Sequence, residues 1–181
     1  MAFTRLSPEA QFVTLGFGQV EPNHLSAQRT GEIYAQLPAA ADIDILENGQ
    51  FVKYDYANGE CNFTGDGEWY LVYNEEKLYD ERKQGHKHWA MQKDDYVDGV
   101  MTPRVFAVKP GDLYTTNCFE ANTSDSAETT GVSVSLGNYF TPGTAGYLVA
   151  GTTASASPVF KVVKYYTMPD GQDGVKLQCI K

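Results

Sequence analysis

The chain has 181 residues, a formal net charge of -9 and a pI near 4.7. This length is enough for one well-formed core but short of two full-sized domains. Binding to a phosphate backbone depends on protein cations that displace condensed counterions, and an acidic chain opposes it. We therefore expect neither nucleic acid nor membrane as a partner.

Residues 1–40 show no sustained hydrophobic period and are interrupted by glycine and proline. This texture predicts an extended N-terminal arm. Asn23 is a suitable cap for one short helix over residues 25–37, although Gly31 lowers the helix propensity of that segment. The first residues lack the charged-then-apolar pattern of a secretory signal, so we expect no export by that route.

From residue 41 onward, short apolar and aromatic runs alternate with polar residues. Residues 43–56 predict a hairpin, because Asn48 and Gly49 suit the two positive-φ positions of a type I′ turn. Residues 169–174 predict a second reversal. Further strands are predicted at 61–64, 68–73, 104–108, 113–119, 132–136, 147–150, 160–167 and 175–180. The regular spacing of these strands, with no long helical pattern, predicts an all-β domain over 41–181, mainly an antiparallel β-barrel or β-sandwich.

Residues 74–99 form a polar insertion, which we expect to be mostly surface loop with at most one helical turn. Within it, His86 and His88 have the spacing that points two imidazoles to one face of a strand. A zinc site needs three or four convergent ligands, however, and two histidines among charged residues more often lie in a solvated loop. We predict no metal site.

Adjacent aromatic pairs, Trp69-Tyr70 and Tyr165-Tyr166, lie on predicted strands. Because successive strand residues face opposite sides, we expect one ring of each pair in the core and the other on the outer face. An outward Tyr or Trp favours protein interfaces, and such rings also suit sugar stacking.

The sequence contains no recognisable catalytic motif. It has no Gly-x-Ser-x-Gly elbow of the kind that carries a nucleophilic serine. Asp66 and Glu68 could form a glycosidase pair, but we favour their interpretation as solvated carboxylates. The odd number of cysteines, without close spacing, indicates free thiols. We predict that the chain is not an enzyme, has no catalytic residues and requires no cofactor.

Several segments together resemble short head structural proteins of tailed bacteriophages, of the capsid decoration or cement type. None of them corresponds to a catalytic signature. They are 21–31 (EPNHLSAQRTG), 46–54 (LENGQFVKY), 77–81 (KLYDE), 103–106 (PRVF) and 111–117 (GDLYTTN).

The resemblance implies a virion structural protein that decorates and stabilises a bacteriophage capsid by bridging major capsid protein subunits. It implies a location on the capsid exterior, assembly in the host cytoplasm, and self-association, with a trimer as one form. The arm, residues 1–40, is then the capsid-contacting part and 41–181 the β-domain. The expected interface residues are Pro22, Asn23, His24, Leu25, Arg29 and Arg104.

Two other functions fit the same composition. One is a carbohydrate-binding module on a phage fibre or surface appendage, with Trp69 and Trp89 as stacking platforms. The other is a small metal-dependent or glycosidic enzyme. Both are weaker interpretations, because neither has a motif that requires it.

Overall fold

The computed structural model describes residues 18–25, 36–74, 90–120, 134–151, 157–168 and 171–181. These residues form strands and one short 3-10 helix, Lys93–Asp95. The strands are β1 (Val20–His24), β2 (Ile45–Glu47), β3 (Phe51–Asp55), β4 (Glu60–Asn62), β5 (Trp69–Val72), β6 (Ala90–Gln92), β7 (Val105–Ala107), β8 (Leu113–Thr116), β9 (Tyr139–Pro142), β10 (Leu148–Ala150), β11 (Phe160–Thr167) and β12 (Asp173–Cys179).

The largest sheet has six antiparallel strands in the order β1-β8-β12-β11-β9-β10. Its centre is the β11-β12 hairpin, which pairs Phe160 with Cys179 at one end and Thr167 with Asp173 at the other. The register shifts between Val162 and Lys164, so β11 carries a bulge there. The predicted reversal before β12 is confirmed, although residues 169–170 lie outside the described part of the chain.

A second sheet has four antiparallel strands in the order β4-β3-β5-β7, and β2 and β6 form a separate antiparallel pair. Alternation along β3 and β5 divides their side chains between two cores. Phe51 and Leu71 point into a first core, shared with the six-stranded sheet. Val52 and Tyr70 point into a second core, shared with the β2-β6 pair. Since consecutive strand residues face opposite sides, the four-stranded sheet is the middle of three layers.

Aromatic side chains fill much of the first core. The rings of Phe51 and Tyr114 each lie 5.4 Å from the ring of Phe160, and Phe119 lies 5.0 Å from Phe140, measured between centroids. Burying one such side chain contributes about 1.5–3 kcal/mol. In the second core, Tyr54 stacks on Tyr70 at 4.6 Å. The middle sheet therefore gains apolar burial on both faces.

The predicted fold class is confirmed: the described residues are nearly all β and their sheets are antiparallel. The sheets stay open within these residues, so the architecture is layered and no closed barrel forms. β4, β5, β7, β8 and β10–β12 lie within or close to predicted strands. β6 and β9 were not predicted, because β6 is three residues long and β9 ends in a proline.

The predicted hairpin over residues 43–56 is wrong. Gly49 has φ +98° and the Gln50 N–H donates to the Glu47 carbonyl oxygen at 3.1 Å, so the chain does turn there. However, β2 pairs with β6, whereas β3 pairs with β4 and β5. The turn joins two layers, because β3 carries apolar residues for both cores and so belongs in the middle sheet, whereas β2 pairs with β6 in the layer beside it.

Residues 1–40 also contain a sheet strand. β1 pairs with β8 at the edge of the six-stranded sheet, and Val20 and Leu25 are part of the first core. Most of the predicted short helix at 25–37 lies outside the described residues, as do residues 75–89 of the polar insertion. Of the predicted strand at 132–136, the described residues 134–136 are not strand.

Candidate interaction surfaces

Strand β1 contains three of the six predicted interface residues, Pro22, Asn23 and His24, and Leu25 follows it directly. Pro22 is half-buried opposite Tyr114 of β8. Asn23 is exposed, and its Oδ1 accepts a 2.8 Å hydrogen bond from the Thr115 hydroxyl group. Pro22 and Asn23 therefore lie on the strand at one edge of the six-stranded sheet.

Leu25 has a different environment from its neighbours. Its side chain is 2% exposed and belongs to the first core. A side chain this buried acts through packing, so the structure removes Leu25 from the set of surface contacts. The backbone of His24 pairs with Leu113, but its side chain lies outside the described part, as does all of Arg29.

Arg104, the sixth predicted residue, precedes β7 on another part of the body. Its guanidinium carbon lies 5.2 Å from the centroid of the Phe106 ring, in reach of a cation–π contact. Its backbone N–H donates a 2.6 Å hydrogen bond to Asn74 Oδ1. Arg104 is half-buried and held on two sides, and the described contacts do not bring it together with Pro22 or Asn23.

A buried polar cluster anchors the start of β1 to the body. The Glu47 carboxyl group accepts hydrogen bonds from the Gly18 backbone N–H through Oε2 and from the Tyr147 hydroxyl group through Oε1. The Gln19 N–H donates a 2.7 Å hydrogen bond to Asn117 Oδ1. We call Gly18, Gln19, Glu47, Asn117 and Tyr147 the clamp. It joins the N-terminal segment to the β2-β3 turn, the end of β8 and the β9-β10 connection.

The β2-β3 turn makes further hydrogen bonds beyond the clamp. Asn48 Nδ2 donates to the Asn74 carbonyl oxygen at 3.2 Å, while the Asn74 N–H donates to Asn48 Oδ1 at 2.7 Å. Gln50 Nε2 donates to the Ala145 carbonyl oxygen at 3.1 Å. Buried polar groups keep stable positions when they are hydrogen-bonded in this way. The sequence predicted a hairpin turn here and gave no sign of its burial, since nothing in a Glu-Asn-Gly-Gln run distinguishes a buried turn from an exposed one.

The aromatic pairs differ from each other. Tyr165 packs against the first core and donates a 3.2 Å hydrogen bond to the Val134 carbonyl oxygen, whereas Tyr166 is exposed. That pair confirms the predicted division. Trp69 packs against the first core, however, and Tyr70 lies in the second, so neither ring of that pair is on an outer face.

Tyr166 has a role on the outer face of the six-stranded sheet. Its hydroxyl group donates a 3.0 Å hydrogen bond to Glu21 Oε1, which links β11 to β1 across the sheet. That hydrogen bond is the largest cause raising the pKa of Tyr166. The lysine Nζ of Lys53 lies 4.8 Å from the centroid of the Trp69 ring, so one face of that indole already has a cationic neighbour.

Among the residues that the structure describes, the candidate chemical groups do not converge. Asp66 and Glu68 are exposed in the loop between β4 and β5, and His86 and His88 lie outside the described residues. In the described ranges, no three His, Cys, Asp or Glu side chains are grouped so that they could hold a metal ion. All three cysteines are free and buried. Burial raises the pKa of Cys61 to about 12 and that of Cys179 to about 11.

Comparisons of this chain with protein-family models, with curated proteins and with solved structures found no match. The part of the chain that the structure describes contains no helix with the length and apolar character needed to cross a membrane.

Proposed function

We propose that this chain is a virion structural protein that decorates and stabilises a bacteriophage capsid by bridging major capsid protein subunits. The proposal starts from the resemblance of five segments to head decoration proteins. It places the protein on the capsid exterior, after assembly in the host cytoplasm. The β-rich fold agrees with it, because a rigid layered body presents fixed outer faces to neighbouring subunits.

The observation that carries the proposal is the way the N-terminal segment is fixed to the body. β1 pairs along its length with β8, and the clamp holds Gly18 and Gln19 with buried hydrogen bonds to Glu47 and Asn117. A protein that bridges subunits must transfer force from its contact residues into its core. A strand built into the sheet does this, whereas a loosely attached arm does not.

The proposed contact residues are those of the predicted set that are accessible. Pro22 and Asn23 lie on the edge strand β1, and Arg104 is a half-buried cation elsewhere on the surface. His24 and Arg29 remain in the proposed set as sequence predictions. Each contact can be weak, because a shell offers many equivalent sites and neighbouring copies raise one another's effective concentration.

A carbohydrate-binding role would use exposed aromatic rings as platforms. Trp69 is poorly suited to it, since its ring packs against the first core and has Lys53 Nζ at 4.8 Å. Trp89, the other predicted platform, lies outside the described residues. The capsid role is therefore the function that we propose.

The test is co-sedimentation with capsids of the encoding phage that were prepared without this protein. The full chain should bind saturably, at a fixed ratio to the major capsid protein. Deleting residues 1–17 leaves β1 and the clamp in place, whereas deleting 1–40 also removes an edge strand. The shorter deletion is therefore the informative one, and it should weaken binding if the arm contacts the capsid.

Point variants refine the test. Asn23→Ala and Arg104→Ala should each reduce binding, and Thr64→Ala, at an exposed position in the β4-β5 loop, is the matched control. Absence of saturable binding by the full chain would rule out the capsid role. Full binding by the 1–17 deletion together with both point variants would remove the arm and these residues from the contact.

A further inference from the structure

The outer face of the six-stranded sheet is basic although the chain is acidic. Lys161, Lys164 and Lys176 are on the side of β11 and β12 that points away from the first core, as the register and the burial pattern establish. Val163, at the bulge, and Tyr166 are exposed on the same strand. We call these five residues the basic face.

Two of the lysines directly oppose each other. Lys164 pairs with Lys176 across the β11-β12 hairpin. Residues in this relation have Cβ atoms about 4.5–5.5 Å apart, and like charges so placed destabilise a sheet. Within the described residues, Lys161, Lys164 and Lys176 form no ion pair with a carboxylate. Glu21 lies on the same face, where it accepts a hydrogen bond from Tyr166. A partner that supplies carboxylates to this exposed face would offset the repulsion between the two ammonium groups.

The opposite layer of the molecule is acidic. The β2-β6 pair and the segments beside it carry Asp42, Asp44, Asp94, Asp95 and Asp98. Lys93 is the one basic residue in 36–46 and 90–101; its Nζ donates to the Ala41 carbonyl oxygen at 2.6 Å and lies 3.8 Å from Asp44 Oδ1.

Apolar side chains are exposed among these carboxylates. Val97 is 98% exposed, Val100 50% and Ile45 43%. We call this surface, the five aspartates with Ile45, Val97 and Val100, the acidic layer.

We propose that the basic face of one copy binds the acidic layer of a second copy, so that the protein associates head to tail. The three-layer order supports this, because the four-stranded sheet lies between the two surfaces and they face opposite directions. One copy cannot satisfy both surfaces within itself. Opposite charges with apolar residues on both sides are the complementarity that a protein contact uses.

The contact is heterologous, since different patches meet, and repetition of it builds a ring or an open filament according to the rotation between copies. Self-association in general is already expected from the resemblance; the new element is the pair of surfaces, and the contact does not depend on capsid binding because it concerns copies of this chain alone. Purified protein without capsids therefore tests it, and its failure leaves the co-sedimentation result unaffected.

The first measurement is the weight-average mass by sedimentation as protein concentration rises, at about 0.02 M and about 0.5 M NaCl, since the Debye length shortens several-fold between them. At low salt the mass should rise above the 20.0 kDa of one chain, and at high salt it should return to that value. A single species of 20.0 kDa at every concentration and in both salts would overturn the proposal.

Charge reversal then identifies the surfaces. Lys161→Glu/Lys164→Glu and Asp94→Lys/Asp98→Lys should each associate much less than the parent when alone, because the reversed residues then face charges of their own sign. An equimolar mixture of the two variants should associate again, since each presents charges that the other complements. Asp66→Lys/Glu68→Lys, which changes the net charge as much as Asp94→Lys/Asp98→Lys does but at exposed positions of the β4-β5 loop, is the matched control for that variant and should associate like the parent.

Folding is checked separately by circular dichroism and thermal unfolding of each variant, so that loss of association is scored on folded protein. The proposal would be overturned if the folded variants failed to associate when mixed, because the two surfaces would then not be complementary. It would also be overturned if the control pair weakened association equally, because net charge would then govern association.

Discussion

The hydroxyl group of Tyr147 donates a 2.6 Å hydrogen bond to Glu47 Oε1, across 100 residues of sequence. The same carboxyl group accepts a hydrogen bond from the backbone of Gly18. Glu47 thus connects the β9-β10 region and the N-terminal segment at one buried point. The anchoring of β1 and the position of the β9-β10 connection therefore depend on the same side chain.

Removing the tyrosine hydroxyl should destabilise the protein. In Tyr147→Phe the Glu47 carboxyl group loses a donor, and a lost hydrogen bond of this kind costs about 1–3 kcal/mol. Urea unfolding of Tyr147→Phe, Glu47→Gln and the double variant forms a cycle, from which we expect a coupling of about 0.5–3 kcal/mol. Additive effects of the two changes would contradict a direct interaction.

Gly49 should not tolerate alanine. Its φ is +98°, and an added Cβ would lie 2.6 Å from the Thr116 hydroxyl oxygen and 2.7 Å from Cys118 Cβ. Gly111 is the matched control, with the same φ and no atom within 4 Å of an added Cβ. Both alanine variants should lose about 1 kcal/mol of unfolding free energy from backbone strain, and Gly49→Ala more through overlap. Equal losses would argue against the close packing of the turn.

Tyr114→Phe should stabilise the fold. The Tyr114 side chain is fully buried in the first core, and its hydroxyl group has no hydrogen-bond partner among the described residues. Burial also raises its pKa well above 10.0. Phenylalanine keeps the ring packing and removes the unsatisfied group, so unfolding free energy should rise by about 1 kcal/mol. A loss of stability in urea unfolding would show that the hydroxyl group has a partner.

Alkaline pH should destabilise the folded protein through its buried cysteine thiols. The Cys61 and Cys179 thiols have pKa values of about 12 and about 11 in the folded chain, against an ordinary value of 9.0. Above pH 9.0 the unfolded chain releases these protons while the folded chain keeps them. The free energy of unfolding therefore falls as pH rises from there toward the folded values.

Unfolding by urea at a series of pH values measures this slope. Cys61→Ala should flatten it, whatever its effect on stability at neutral pH, since one coupled proton is removed. A variant with the parent's slope would exclude Cys61 as a source.

Reversing one lysine of the opposed pair should separate stability from association. Lys164→Glu places opposite charges across from each other on β11 and β12, which should raise unfolding free energy by about 0.2–1 kcal/mol. The same change should weaken head-to-tail association. Thermal unfolding and sedimentation of one preparation measure both, and a fall in both would indicate general damage to the hairpin.

Local sequence signals predicted correctly the strands whose hydrogen-bonding partner is close in sequence. The β11-β12 hairpin is an example, because its strands alternate clearly and its connection is rich in turn residues. Residues 48–49 show the limit of such signals. They do form a turn, but the partners of β2 and β3 come from distant parts of the chain. Leu25 was predicted as a surface contact because its burial depends on residues that are distant in sequence, and these cannot be identified from local signals.

The amino-acid sequence by itself determined the all-β class, because alternation and β-branched or aromatic runs act over a few neighbouring residues. It also determined the acidic balance and the absence of recognisable catalytic motifs. Only the tertiary structure decided the order of layers, the burial of Glu47 and the separation of basic and acidic surfaces. These depend on which strands pair over long distances, where the free energy of packing two cores against one middle sheet outweighs any local preference.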